Sequence, residues 1–163
     1  MNEIIVIAHN IRSTHNIGSI FRTAEGFGVQ KIICSGYTPY PKLLHDNRLP
    51  HISEKLTKQI HKTALGAEQI VPFEYSESPD IAGLRDAGYR ILGLEQDSRA
   101  IMLPDYSRSG KAVLILGEEV HGLTEEQRNT CDDLIEIPMK GQKESFNVSV
   151  AAGIALYHLT CIT

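Results

Sequence analysis

Ile115-Leu116-Gly117-Glu118-Glu119-Val120-His121-Gly122-Leu123 and Ile135-Glu136-Ile137-Pro138-Met139-Lys140-Gly141-Gln142-Lys143-Glu144-Ser145-Phe146-Asn147-Val148-Ser149 decide how this chain is read. In each stretch an apolar strand runs into a loop dense in Gly, Ser and Asn, and the loop runs into a helix. In an open α/β sheet, ligands sit outside the carboxyl ends of the strands. The two loops are therefore expected to form one pocket that holds the chemistry.

Working outward, the same alternation fills the chain. Apolar, β-branched runs predict strands over 3–8, 30–35, 69–73, 89–94, 111–116 and 134–137. Helical periodicity predicts helices over 16–27, which stops at Gly28, and over 53–65, which stops at Gly66. Ser78 before Pro79 opens a third, running to about 87, and Thr124-Glu125-Glu126-Gln127 is a capping box for a fourth over 125–131. A strongly apolar helix over 147–160 closes the chain. No linker, repeat or low-complexity tract interrupts this order. The expected fold is α/β, a single doubly wound, mainly parallel sheet forming one domain over 1–163, with no second domain added.

A chain of 163 residues can bury a sizeable core, roughly 70% of the surface its unfolded form exposes. Three cysteines, Cys34, Cys131 and Cys161, without CxxC spacing indicate neither a disulfide framework nor a zinc cluster and suit a reducing, cytoplasmic setting. The first residues lack a signal-peptide pattern and no run reaches membrane-spanning length. Net charge is −4, but residues 1–62 hold 8 Lys+Arg against 4 Asp+Glu, and residues 63–163 hold 8 against 16. A basic face for a polyanion and an ordinary scatter of solvated charge both fit that asymmetry.

Three segments carry candidate chemistry. Asn16-Ile17-Gly18-Ser19-Ile20-Phe21-Arg22 opens the first helix: its amides and Arg22 could take a phosphate, or Asn16 is only an N-cap and Arg22 a surface cation. In Gly117–Leu123, either Glu118 or Glu119 could accept loop amides or a ligand donor. In Pro138–Ser149, the polar groups of Ser145, Asn147 and Ser149 exceed what one helix start needs. Neither GxGxxG, a Walker loop, HExxH nor GxSxG occurs, so dinucleotide, nucleoside triphosphate, zinc-protease and serine-hydrolase readings lack support, and no metal is expected.

Taken together, Asn16-x-Gly18-x-x-x-Arg22, Gly117-x-Glu119-x-x-Gly122-Leu123 and Ile137-Pro138-Met139-x-Gly141-x-x-x-Ser145-x-Asn147-Val148-Ser149 resemble the three motifs of the SpoU/TrmH branch of the SPOUT methyltransferases, in order and over almost the whole chain. The resemblance implies an S-adenosylmethionine-dependent 2′-O-methyltransferase of tRNA or rRNA, a homodimer whose C-terminal segment is tucked into a trefoil knot. It further implies that the cofactor lies against the loops after Leu94, Leu116 and Ile137, touching Gly117, Ile137, Met139, Ser145 and Val148, with Leu94 nearby. Arg22 would be the catalytic arginine, Asn16, Glu119 and Asn147 its polar surroundings, and Ser145 a group that helps place the ribose. Phe146 stands where the family commonly has Leu.

RNA contacts are expected from the cations of the positive half, Arg12, Arg22, Arg48, Lys55, Lys58 and Lys62. The three lysines are spaced three and four apart and share one helix side, which is also what a solvated helix surface looks like. An inactive RNA-binding paralogue and a nucleotide-binding α/β protein acting on a small molecule stand as alternatives, the latter supported by topology alone.

Overall fold

The computed structural model describes residues 3–107 and 109–162. Among them, seven strands form one sheet: β1 (Ile4–His9), β2 (Lys31–Ser35), β3 (Phe73–Tyr75), β4 (Tyr89–Leu94), β5 (Ile101–Met102), β6 (Lys111–Leu116) and β7 (Asp133–Glu136). Every pairing is parallel, and the strand order is β3-β2-β1-β6-β4-β7-β5. Five helices accompany them: α1 (Thr14–Gly26), α2 (Pro50–Ala64), α3 (Ile81–Asp86), α4 (Glu125–Thr130) and α5 (Val148–Tyr157).

A parallel sheet covered on both faces needs strands that are apolar on both sides, as the runs IIVIAH and KAVLIL are. Alternate side chains divide between two cores. Ile4, Val6 and Ala8 of β1 face a large core with α1, α2 and α5, and Ile5 and Ile7 face a smaller one with Ile81 and Leu84 of α3. The doubly wound expectation therefore holds, with all strands parallel.

Several boundaries differ from the sequence reading, each for a local reason. The third strand lies at Phe73–Tyr75 rather than over 69–73. A 3₁₀ turn, Ala67–Gln69, occupies the earlier stretch, where the Glu68 carboxylate accepts the Gly66 amide (3.0 Å). α3 is capped by Asp80, which accepts from the Gly83 amide (2.9 Å), and not by Ser78. α2 starts earlier, with Pro50 in its first turn. The two-residue β5 is too short to show periodicity. The last helix leaves α geometry at Tyr157 and ends in a π-helical turn, His158–Ile162.

The strand order reverses between β1 and β6. From β1 the chain passes through α1 on the large-core face, while from β6 it leads through Leu123, which packs in the small core. Neighbouring strands whose connections leave to opposite faces open a crevice at their carboxyl ends. The loop after β1 and the loop after β6 meet there.

Candidate active site

α1 begins two residues ahead of the sequence expectation. Ser13 is its N-cap, and its hydroxyl accepts the Asn16 amide (3.2 Å). Asn16 is consequently not a cap, and its side chain reaches out to two other segments. Its Nδ2 donates to Glu119 Oε1 (3.2 Å), and its Oδ1 accepts from Asn147 Nδ2 (3.2 Å). Glu119 also accepts the backbone amides of Arg12 (3.1 Å, Oε2) and Ser13 (3.2 Å, Oε1). Asn147 caps α5, accepting from the Ser149 amide (2.9 Å) and hydroxyl (2.7 Å). Residues 103 and 131 positions from Asn16 are thus joined into one chain of hydrogen bonds.

Burial pushes the Glu119 carboxyl up, but the amides of Arg12 and Ser13 and the Asn16 side chain outweigh it and hold the group below the usual carboxylate range. Glu119 is therefore an anchored carboxylate, unsuited to taking a proton. Glu118 serves its own loop: its carbonyl accepts the Gly122 amide (2.9 Å) and its carboxylate the His121 amide (3.3 Å). Gly117 lets that loop close on itself, since a Cβ there would lie 2.6 Å from the Gly122 carbonyl carbon.

Beside Glu119 opens a cavity of about 240 Å³ between the loops after β4, β6 and β7 and the start of α5. Leu94, Leu116, Gly117, Ile137, Met139, Ser145 and Val148, named from the sequence, all line it, together with Glu119 and Phe146. Glu95 and Gln96 line it too and were missed. Glu95 Oε2 accepts the Leu123 amide (2.6 Å), its own amide donates to the Ile135 carbonyl (3.1 Å), and Gln96 Nε2 donates to the Glu144 carbonyl. One residue pair thereby ties all three loops. The available signal was positional, because Glu95 is the first polar residue after β4, as Gly117 is the first residue after β6.

Among the described residues, the cavity lining contains Glu95, Glu118, Glu119 and Glu144 and no Lys or Arg. A phosphate-bearing cofactor would find no Lys or Arg counter-charge in it, whereas a ligand that joins an uncharged heterocycle to a cationic group suits a lining that mixes apolar side chains with carboxyl groups.

Arg22 stands apart from this site. It is exposed, and no hydrogen-bond or ionic partner of it occurs among the described residues. It shares the outward side of α1 with His15, Ser19 and Gly26, at spacings of four, three and four. Gly18 serves packing rather than a phosphate: an added Cβ would lie 2.1 Å from Thr63 Oγ1 and 2.3 Å from the Ile60 carbonyl, so α1 and α2 cross there at close range.

Of the remaining cations, Lys55, Lys58 and Lys62 are exposed on α2 without acidic partners among the described residues. Arg12 is exposed at the start of α1, with its guanidinium 5.9 Å from the Tyr37 ring centroid. Arg48 is committed within the chain: Nε donates to Asp46 (2.9 Å), and Nη1 and Nη2 donate to the carbonyls of Tyr40 and Pro41 (3.0 Å each). Burial pushes the Cys34 thiol up to about 12, which leaves it inert as a nucleophile. Among the described residues, no group of three or more His, Cys, Asp or Glu is placed to hold a metal ion, and no helix is long and apolar enough to cross a membrane.

Residues 3–157 match the SpoU rRNA Methylase family. The 23S rRNA (guanosine-2′-O-)-methyltransferase RlmB of Coxiella burnetii is 31% identical over 158 residues, which are 96% of this chain and 57% of that protein. The chain thus spans little more than half the length of that relative. An AdoMet-bound rRNA methyltransferase from Sinorhizobium meliloti superposes with a TM-score of 0.77 at 23% identity, over 96% of this chain and 55% of the other. A TrmH/SpoU tRNA modifying enzyme of A. aeolicus superposes with a TM-score of 0.79 at 24% identity, over 98% and 75%.

Proposed function

This chain belongs to the SpoU rRNA methylase family, and from that premise we propose that it is an S-adenosylmethionine-dependent RNA 2′-O-ribose methyltransferase acting on tRNA or rRNA. The observation that carries the reading is the hydrogen-bond chain Glu119–Asn16–Asn147, which places polar groups of three distant segments beside a cavity lined by both apolar side chains and carboxyl groups.

Leu94, Leu116, Ile137, Met139 and Val148 would hold the adenine and methionine parts of the cofactor, with Gly117 admitting close backbone approach and Ser145 reaching towards both cofactor and ribose. When bound, S-adenosylmethionine supplies an electrophilic methyl carbon on a sulfonium. The ribose hydroxyl is a weak nucleophile, so the work of the protein is alignment and removal of a proton. Glu119 holds Asn16 and the start of α1 in place. Asn16 and Asn147 present amides to the ribose. Arg22 remains protonated and therefore grips the adjacent phosphate, holding the hydroxyl in line while that phosphate relays the hydroxyl's proton to solvent water.

Arg22 is exposed and does not line the cavity of its own chain, and this supports a homodimer in which a second copy brings the arginine to the cavity. α5 carries the exposed apolar side chains Val150 and Tyr157, and the Tyr157 ring rests 6.2 Å from that of Phe27 at the end of α1. Such a patch beside Arg22 suits a second copy of this chain. The trefoil knot is part of the same reading. It is supported by the meeting of the loops after β4, β6 and β7 through Glu95 and Gln96. The free cysteines Cys34, Cys131 and Cys161 suit the reducing cytoplasm as the place where such an enzyme meets its RNA.

The test is transfer of label from methyl-labelled S-adenosylmethionine to fractionated, undermodified cellular RNA, followed by nucleoside analysis. A 2′-O-methylated nucleoside is expected. A base-methylated product, or absence of both label transfer and cofactor binding, would overturn the proposal.

A further inference from the structure

A second cavity, of about 600 Å³, lies at the carboxyl ends of β1, β2 and β3 and has the opposite chemistry to the first. Its lining includes Arg12, Arg48 and the aromatic rings of Tyr37, Tyr40 and Tyr75, and it contains no Asp or Glu. The two cavities are neighbours, because Glu119 lines the first and accepts the amides of Arg12 and Ser13, which line the second.

The aromatic groups are held firmly. Tyr40 and Tyr75 stack with centroids 4.5 Å apart and planes 19° from parallel, and the Arg48 guanidinium lies 3.6 Å from the Tyr40 centroid on Asp46. Tyr37 is different: its side chain is at the rim, and the residue is 53% exposed. Its amide donates to Asn10 Oδ1 (3.1 Å), and Asn10 sits in the left-handed region at φ 55°, next to Gly36 at φ 62°. A left-handed non-glycine residue costs conformational energy and persists where surrounding contacts fix it. Here it anchors the backbone that carries an exposed ring. On the α2 wall, Gln59 lines the cavity, and Lys55 and Lys62 share its side of the helix at spacings of four and three.

We propose that this second cavity is a base-binding subsite for the acceptor RNA, in which a nucleobase within one nucleotide of the reacting ribose stacks on Tyr37 while Arg12 holds its phosphate. The inference rests on the RNA methyltransferase reading and adds to it the place where the substrate is gripped. An exposed ring on an anchored backbone, beside an arginine whose guanidinium has no acidic partner among the described residues, is the arrangement that single-stranded nucleic acid favours. The lysines of α2 extend the positive surface along which the backbone runs. The acidic-edged cavity then takes a cationic cofactor and the carboxylate-free one an anionic substrate, separated by Glu119.

The experiment uses the whole chain and two fluorescein-labelled octamers, oligouridylate and an abasic ribose-phosphate of the same length, with affinities read by anisotropy. Wild type is expected to bind the uridylate about tenfold more tightly than the abasic octamer. Y37A should bring the two within about twofold, Y37F should keep the preference, and R12Q should weaken both octamers alike. Equal binding of the two octamers by wild type, or an unchanged preference in Y37A, would overturn the inference. Cofactor binding and label transfer are measured on the same wild-type protein. Their presence without any base preference overturns this inference alone, and their absence overturns the enzyme reading beneath it.

Discussion

Replacing Glu119 with Ala removes one acceptor group from three donors, the amides of Arg12 and Ser13 and the side chain of Asn16, at 3.1, 3.2 and 3.2 Å. Hydrogen bonds to a charged acceptor contribute about 1.5–3 kcal/mol each when buried. These are long and reach solvent, so about 0.5 kcal/mol each is the better figure. Loss of a negative charge from the start of α1 adds about 0.5 kcal/mol. The sum, about 2 kcal/mol, corresponds to a fall in Tm of roughly 4–8 °C for a chain of this size. The sign of the pH dependence follows from the lowered pKa of Glu119. A carboxyl held lower in the folded than in the unfolded chain contributes stability above the unfolded value, about 4.3, and loses it as pH falls through the folded value. The gap between wild type and Glu119→Ala should therefore be full at pH 7 and shrink towards pH 3. Thermal melts followed by circular dichroism at both pH values read the gap, and methyl transfer at pH 7 reads the release of Asn16. A Tm change below about 1 °C, or a gap independent of pH, would refute the view that Glu119 is the carboxylate anchoring this end of α1.

Arg22→Ala should abolish label transfer while leaving S-adenosylmethionine affinity within about twofold of wild type, because Arg22 lies outside the cavity lining. A large loss of cofactor binding measured by calorimetry would sink that assignment. Changing Lys55, Lys58 and Lys62 together to Gln should weaken RNA binding and flatten its log–log salt dependence by about 2 units if all three meet phosphate. An unaltered slope would return these lysines to the solvated surface. Gly18→Ala should cost about 2 kcal/mol, since its Cβ would meet the Ile60 carbonyl, a backbone atom with little freedom to shift. Chemical denaturation would measure it, and a neutral result would mean that the α1–α2 crossing yields more easily than its 2.3 Å approach implies.

Much of the molecule was legible in the chain because strand and helix signals are local. β1, β2, β4 and β6 lie within one or two residues of their predicted ranges, and the Thr124–Gln127 capping box forms as its spacing implies. Local signals also misled. A polar residue at the head of an amphipathic stretch reads as a cap, so one of the two readings open for Asn16 was the role that Ser13 performs. The stretch 69–73 has strand composition, yet a 3₁₀ turn closed by Glu68 comes first, and β3 enters the sheet late. β5, paired with β7 at Ile101 and Met102, was invisible because two residues carry no period.

The alternation of strand and helix signals was enough to establish a mainly parallel α/β sheet with a loop-built pocket, and the three motifs at Asn16–Arg22, Gly117–Leu123 and Ile137–Ser149 together were enough to name the family. Which polar groups meet was another matter. Hydrogen bonds between Asn16, Glu119 and Asn147 join positions more than one hundred residues apart. Those contacts depend on where β6 inserts between β1 and β4, a pairing for which no local periodicity exists. The same folding carried Arg22 to the outward side of α1 and split the charge between two adjoining cavities, one edged with carboxyl groups and one lined with arginine and tyrosine. Periodicity records which side of its own element a residue occupies, but the neighbours across that side are chosen by the packing of the whole sheet.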